Sequence, residues 1–307
     1  MSRAEVGIEQ LEAAIHNFPN LMPDTIDLTA FMSEETIHRV KDAKQYRQKL
    51  FEMLAAKDNY GQKTPWRKAD FFRFREGEMT VWAGFKGHGK SLLLSQVVLD
   101  FMTNDASKVF VISPEFQPHQ VLHRMIWQAM QRHYTLQEMD EWLNILQRLI
   151  WLYDLQGSLK PADVPALCRY AAEKLGVKHI LIDSLMKCGI PPDDYQGQKK
   201  LVDAVQQVAH KTGCHTHLVA HARKGKDDHT AAGIHDIKGT SEIGDMAENV
   251  VVVWRNKPKE QQKDNAEKSQ EPDAIFKVES QRNGSGEIGM VPLIYDKHSM
   301  TYSEMSQ

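Results

Sequence analysis

From about residue 77 the chain alternates between short apolar runs and longer amphipathic stretches. The apolar runs at 79–83, 108–113, 149–153, 179–183, 216–220 and 250–254 read as strands. Stretches of helical periodicity separate most of them, at 91–102, 118–133 with 136–146, 161–175 and 199–212. Near-continuous apolar strands alternating with helices predict an α/β fold: a mostly parallel central sheet flanked by helices on both faces. Two further apolar runs, 274–279 and 290–295, flank "SQRNGSGEIG" and predict a C-terminal antiparallel hairpin at the sheet edge. The polar stretch "NKPKEQQKDNAEKSQEPD" before them lacks any period and is expected to be a solvated, mobile loop.

Residues 1–60 differ. "NFPNLMPDTIDL" reads as a linker, and "SEETIHRVKDAKQYRQKLFEMLAAK" as a helix with Ser33 at its N-cap and only a broken apolar stripe. This gives two parts: a helical extension over 1–60, a candidate subunit-contact segment, and an α/β core over 61–307.

Charge and cysteine content narrow the class. The formal net charge is -3, so no global positive field draws in nucleic acid, and such contacts must come from local patches. Cys168, Cys188 and Cys214 are far apart and form no CxxC, which suggests neither a disulfide framework nor a cysteine zinc site. The N-terminus has no apolar h-region, and no run approaches the ~20 apolar residues of a membrane span. A reducing, cytoplasmic setting in a bacterial or phage-infected cell, without a membrane partner, is the expectation.

"GFKGHGKS" supplies chemistry. Gly84-x-x-x-x-Gly89-Lys90-Ser91 is a Walker A pattern after an apolar strand and before an apolar helix, the context that a phosphate loop requires. Its backbone N–H groups, from Gly84, Gly87, His88 and Gly89 through Lys90, Ser91 and Leu92, are expected to cradle the phosphates of ATP at a helix N-terminus. Lys90 would reach the β/γ-phosphates, and Ser91 would ligate Mg²⁺ together with a carboxylate at the end of a buried strand. Asp183, closing "HILID", fits that place. Glu115, just past the second strand, is the candidate base that activates water, provided that its strand lies near the phosphate loop.

The order strand–Walker A–helix, strand–Glu, strand–"DSL", "LVAHARK", "GTSEIGDMAENVVVVWRNK", "SQRNGSGEIG" resembles the RecA-type core of hexameric replicative helicases. It is most similar to phage primase-helicases and the mitochondrial helicase Twinkle, with DnaB-type helicases slightly more distant. The likeness covers about residues 60–302, without a primase half. It implies that Glu115 is the catalytic glutamate, Asp183 the Walker B aspartate, and His221 a γ-phosphate sensor. It implies that Arg282 is an arginine finger reaching a neighbour's site, and that Arg255 and Tyr295 sandwich adenine. A finger supplied in trans requires an oligomer, and a head-to-tail ring, hexameric in the family, gives every subunit one. The family commonly carries Lys-x-Arg at the finger. Here Ser280 replaces the lysine, and Lys277, three residues away on a strand, would face differently.

The implied partner is single-stranded DNA, with primase or other replication proteins as further candidates. Two loops carry candidate DNA contacts: Lys187, Lys199 and Lys200 after Asp183, and Arg223, Lys224, Lys226 and Lys238 after His221. "DDYQ" and "KDDH" dilute their charge, so charge alone does not separate them from solvated loops. The reading is thus an ATP-dependent ring helicase that moves on single-stranded DNA and unwinds duplex. The alternatives are a RecA-like recombination or regulatory ATPase without unwinding, and a nucleotide-dependent DNA-binding scaffold. A zinc site at His215, His217 and His221 lacks a completing cysteine or carboxylate, and Met125, Trp127, Met130 and Trp142 at helical spacing read as core or subunit contact.

Overall fold

Trp82 and Val81 point to opposite faces of the same strand and both are fully buried, which requires layers on both sides of the sheet. The computed structural model describes residues 42–55, 60–155, 157–222, 242–261, 270–284 and 286–306. It divides into two units, Met1–Lys57 and Asp58–Gln307. In the first, a turn at 43–46 capped by the Asp42 carboxylate leads into α1 (Arg47–Ala55). Its Leu50, Phe51, Met53 and Leu54 are exposed within that unit.

In the second unit the strands are β1 (Met79–Ala83), β2 (Val109–Ile112), β3 (Ile150–Tyr153), β4 (His179–Ile182), β5 (His215–Val219), β6 (Asn249–Arg255), β7 (Ala274–Gln281), β8 (Gly289–Asp296) and β9 (Thr301–Glu304). Among the described residues they form one sheet, ordered β3-β2-β4-β5-β1-β6-β7-β8-β9. The pairings from β3 to β6 are parallel, and those from β6 to β9 antiparallel. The helices are α2 (Lys90–Asp105), α3 (Pro118–Met130), α4 (Leu136–Leu146), α5 (Asp163–Tyr170), α6 (Tyr195–Thr212), α7 (Glu242–Met246) and α8 (Lys257–Gln261).

One core packs α2 and α3 against Trp82, Phe72, Phe74, Phe101 and Phe276. The other packs α5 and α6 against Val81, Ile112, Ile180 and Val252. Each such side chain is worth about 1.5–3 kcal/mol on burial, so the two cores hold the sheet as a rigid platform.

Two expectations are corrected. The β7–β8 hairpin is not the sheet edge, because β9 pairs beyond β8; its four residues were too few to stand out in the sequence. The stretch expected to be a loop from Asn256 opens with α8 instead. Asn256 caps it by accepting from the Lys259 N–H through its side chain (3.0 Å), and Pro258 suits a first turn. Residues 262–269 of that stretch lie outside the described residues.

Candidate functional site

β1 ends at Ala83 and α2 begins at Lys90, so residues 84–89 bridge strand and helix at the C-terminal end of the parallel strands. Two glycines are sterically required. A Cβ on Gly84 would lie 2.3 Å from the Val253 carbonyl oxygen of β6. Gly89 has φ +79°, and a Cβ there would lie 2.6 Å from the Tyr302 hydroxyl. His88 is buried, and its Nδ1 accepts from the Arg255 N–H (3.1 Å), which ties the loop to the end of β6. Leu92, on the first turn of α2, gives its carbonyl to the Gln128 amide (3.1 Å).

Lys90 is 5% exposed. Its ammonium donates to the carbonyls of Gly84 (2.8 Å) and Phe85 (3.0 Å) and stands 3.3 Å from His221 Nδ1. Burial pulls its pKa down to about 8, against the opposing pull of Asp183 and Glu115. Asp183 follows β4 and is 4% exposed. Burial raises its pKa, while a hydrogen bond from Ser91 and the charge of Lys90 work the other way.

Glu115 does not lie on a strand adjacent to β1. Two strands intervene, ~14 Å across the sheet. It reaches the site through side chains instead. Ser184 Oγ donates to Glu115 Oε1 (2.8 Å), and His221 Nε2 stands 3.8 Å from the same oxygen. The hydrogen bond with His221, then that from Ser184, holds the carboxyl at about 2. Lys90, His221, Glu115 and Ser184 therefore form one contiguous polar chain.

A second group lies where β6 and β8 end. The Arg255 guanidinium is held by Glu260 of α8 in two contacts (2.5 and 2.9 Å), and Nη1 reaches the Gly87 carbonyl at 3.5 Å. Such a bidentate pair fixes the plane of the guanidinium. The Tyr295 ring lies 4.9 Å from that of Tyr302, and the charges of Arg255 and Arg124 both act on its hydroxyl.

Three residues at the site were missed in the sequence. Arg124 of α3 lies over the Phe116 ring (4.7 Å) and interacts electrostatically with Asp183 and Tyr295. Its only signal was a charge among the apolar positions Leu122, Met125 and Ile126. Ser184 and Tyr302 had no signal, because their roles arise from chain segments far apart in sequence.

Arg282 is elsewhere. It follows β7, whose Gln281 pairs with Asn249 at the start of β6, whereas Arg255 at the other end of β6 is the residue beside the loop. Six residues of strand, ~20 Å, separate Arg282 from its own phosphate loop. It is exposed, and its guanidinium donates to the Asp245 carbonyl. Lys277 pairs with Glu279 (2.6 Å). Among the DNA-contact candidates, Lys187 is near enough to act on Glu115, Lys199 pairs with Glu242 (2.7 Å), and Lys200 lines a groove with Pro161, Pro165 and Ile190. Arg223, Lys224, Lys226 and Lys238 lie outside the described residues.

The zinc alternative has its histidines in two settings. His215 and His217 are buried in β5 at the opposite end of the sheet from His221, bonded to Thr80 (2.8 Å) and Trp82 (3.2 Å). Cys168, Cys188 and Cys214 are free thiols in the core. Among the described residues, no helix is long and apolar enough to cross a membrane.

Residues 47–227, more than half of the chain, match the family model described as AAA domain. Two solved structures share the fold. One is the isolated ATPase domain of another protein, 12% identical, with a TM-score of 0.69, covering 87% of this chain and 100% of that one. The other is a DnaB-like replicative helicase described together with its interactions with primase. It is 12% identical, with a TM-score of 0.66, covering 99% of this chain and 77% of that one. The chain belongs to the AAA domain family: it is an ATP-hydrolysing P-loop enzyme on the RecA-like fold of DnaB-type helicase domains.

Proposed function

We propose that the protein is a ring-forming DNA helicase of DNA replication, which hydrolyses ATP between subunits, moves along single-stranded DNA and unwinds duplex. The observation that supports this most is the separation of Arg282 from its own phosphate loop by the length of β6. A subunit then presents a phosphate loop at one end of its sheet and an arginine at the other, which suits head-to-tail assembly.

In this reading the loop from Gly84 to Leu92 binds the triphosphate, and Arg255 and Tyr295 hold the base between them. Ser91 and Asp183 suit Mg²⁺: both offer oxygen, they lie within hydrogen-bonding reach of each other, and the buried carboxylate gains from a cation. The metal, when bound, neutralises charge on the transferring phosphoryl. Glu115, held anionic by Ser184 and His221, takes the proton of the attacking water. Lys90, the neighbour's Arg282 and Arg124 face the charge that develops. His221, touching both Lys90 and Glu115, reports nucleotide state to the segment that follows it. Lys187, Lys199, Lys200, Arg223, Lys224, Lys226 and Lys238 are the proposed contacts to the DNA backbone. A primase is a candidate partner, because one structural neighbour was described with one.

The test is strand displacement on a forked duplex, alongside particle mass with an ATP analogue and single-stranded DNA. Rings, DNA-stimulated hydrolysis and unwinding are expected; a persistent monomer overturns the reading. A RecA-like ATPase without unwinding is the second reading, favoured by Ser280 at the usual lysine position and by Lys277 being paired with Glu279. DNA-stimulated hydrolysis without displacement would select it.

A further inference from the structure

The turn that carries Arg282 rests on two buried carboxylates, Glu78 just before β1 and Glu248 just before β6, exposed by only 4% and 7%. Glu78 uses both oxygens: Oε2 accepts from Asn249 Nδ2 (2.8 Å), and Oε1 from Asn283 Nδ2 (2.7 Å). Glu248 does the same. Its Oε2 accepts from the Met79 N–H (2.8 Å), and its Oε1 from Gln206 (2.6 Å), with His210 Nε2 at 3.1 Å. The Glu248 carbonyl accepts from the Arg282 N–H (2.8 Å). On the other side, Gln281 donates to the carbonyls of Phe71 (3.1 Å) and Glu287 (2.6 Å). The guanidinium of Arg75 lies where a Cβ on Gly284 would go.

An exposed arginine after the end of a strand is ordinarily free to wander. Here its backbone N–H and the residues on both sides of it are fixed to the starts of β1 and β6. Those two strands end at Gly84 and Arg255, in the subunit's own nucleotide site. We infer that Glu78 and Glu248 are positioning residues for hydrolysis. They hold the Arg282 turn in register with the strands that carry the phosphate loop, so that Arg282 meets the neighbouring subunit's site in a fixed pose. This rests on Arg282 acting in trans.

Glutamine at position 78 tests it with little change in shape. Both partners of Glu78 are N–H donors, and an amide offers one acceptor oxygen and opposes the other partner with its own NH₂. The Arg282 turn loses a tether worth about 1 kcal/mol, about fivefold in a rate that depends on its pose.

The experiment uses mixed assemblies. Lys90→Ala chains lack a working phosphate loop but keep Arg282, and Arg282→Ala chains have the reverse. Mixing them restores hydrolysis at interfaces that join the two intact halves. Glu78→Gln added to the Lys90→Ala chain, which donates Arg282, lowers the restored kcat about fivefold with KM for ATP unchanged. The same substitution in the Arg282→Ala chain leaves kcat unchanged. Asn283→Ala, at an exposed position, repeats the asymmetry should Glu78→Gln fold poorly. Equal losses in both placements, or no loss in either, overturn the inference while leaving the trans arginine intact. A mixture that restores nothing overturns the trans reading and this inference with it.

Discussion

The two ends of the parallel strands share the same neighbours and have opposite chemistry. At the C-terminal end, buried groups compete: Lys90 is pulled down by burial, Asp183 is pushed up by it, and Glu115 is held low by its neighbours. At the N-terminal end, buried groups are closed on one another. His179 and His217 share a hydrogen bond (3.0 Å), His179 also contacts the Gln62 side chain, His217 accepts from Trp82, and His215 lies between Thr80 and the Arg75 carbonyl (2.6 Å). Phe101 stacks on His179 at 4.3 Å. One end has charges that a triphosphate and a cation would relieve, and the other has a neutral network that is complete without a ligand. A site is recognised here less by how many polar groups are buried than by whether they satisfy each other.

The closed end is where pH should have its largest effect. Burial pushes His215 down to about 4 and holds His179 and His217 well below the usual imidazole range. A depressed imidazole stays neutral in the fold while the unfolded chain takes up a proton. The stability it contributes is therefore complete above pH ~6.5 and falls as pH drops toward about 4, and three such groups together cost ~4 kcal/mol per pH unit. Acid titration followed by circular dichroism should show a steep, cooperative transition in that window. His179→Gln should make it shallower. An unchanged slope would mean that the closed end does not govern acid stability.

Glu115→Gln probes the open end. Hydrolysis should fall by about 10²–10⁴-fold with ATP binding kept, read as a kcat loss at constant nucleotide affinity. A loss confined to affinity would instead make Glu115 a binding group. Gly89→Ala is milder. The backbone conformation costs about 1–2 kcal/mol, and the added Cβ meets the Tyr302 hydroxyl. Tyr302→Phe in the same chain should recover the steric part and not the backbone part, as measured by nucleotide binding.

The smallest effect concerns Lys90. With its pKa near 8, it is partly neutral above that pH until a triphosphate recharges it. Calorimetry in buffers of different ionisation enthalpy should show uptake approaching one proton per ATP at pH ~9 and none from Lys90 at pH ~6.5. Equal uptake at both values would remove the contrast between the two ends at this residue.

The sequence made the strand–helix alternation and the phosphate loop legible because both are local: a period of apolar residues, and a glycine pattern between strand and helix. Asp183 followed from its place at the end of an apolar run. Glu115 was found for an incomplete reason, since its strand is three places from β1 and only Ser184 and His221 connect it to the loop. Arg124, Ser184 and Tyr302 depend on contacts between distant segments, which no local pattern encodes. β9 was lost to its shortness, and α8 was hidden in a polar stretch where the cap at Asn256 outweighed the lack of an apolar stripe.

The buried imidazoles have a spectroscopic consequence. Ring N–H protons held between Thr80, His217, Gln62 and the Arg75 carbonyl are shielded from water, so their exchange must wait for the sheet to open. They should give far-downfield proton resonances from the protein's own atoms, a label-free gauge of whether this end stays shut while the other end turns over nucleotide.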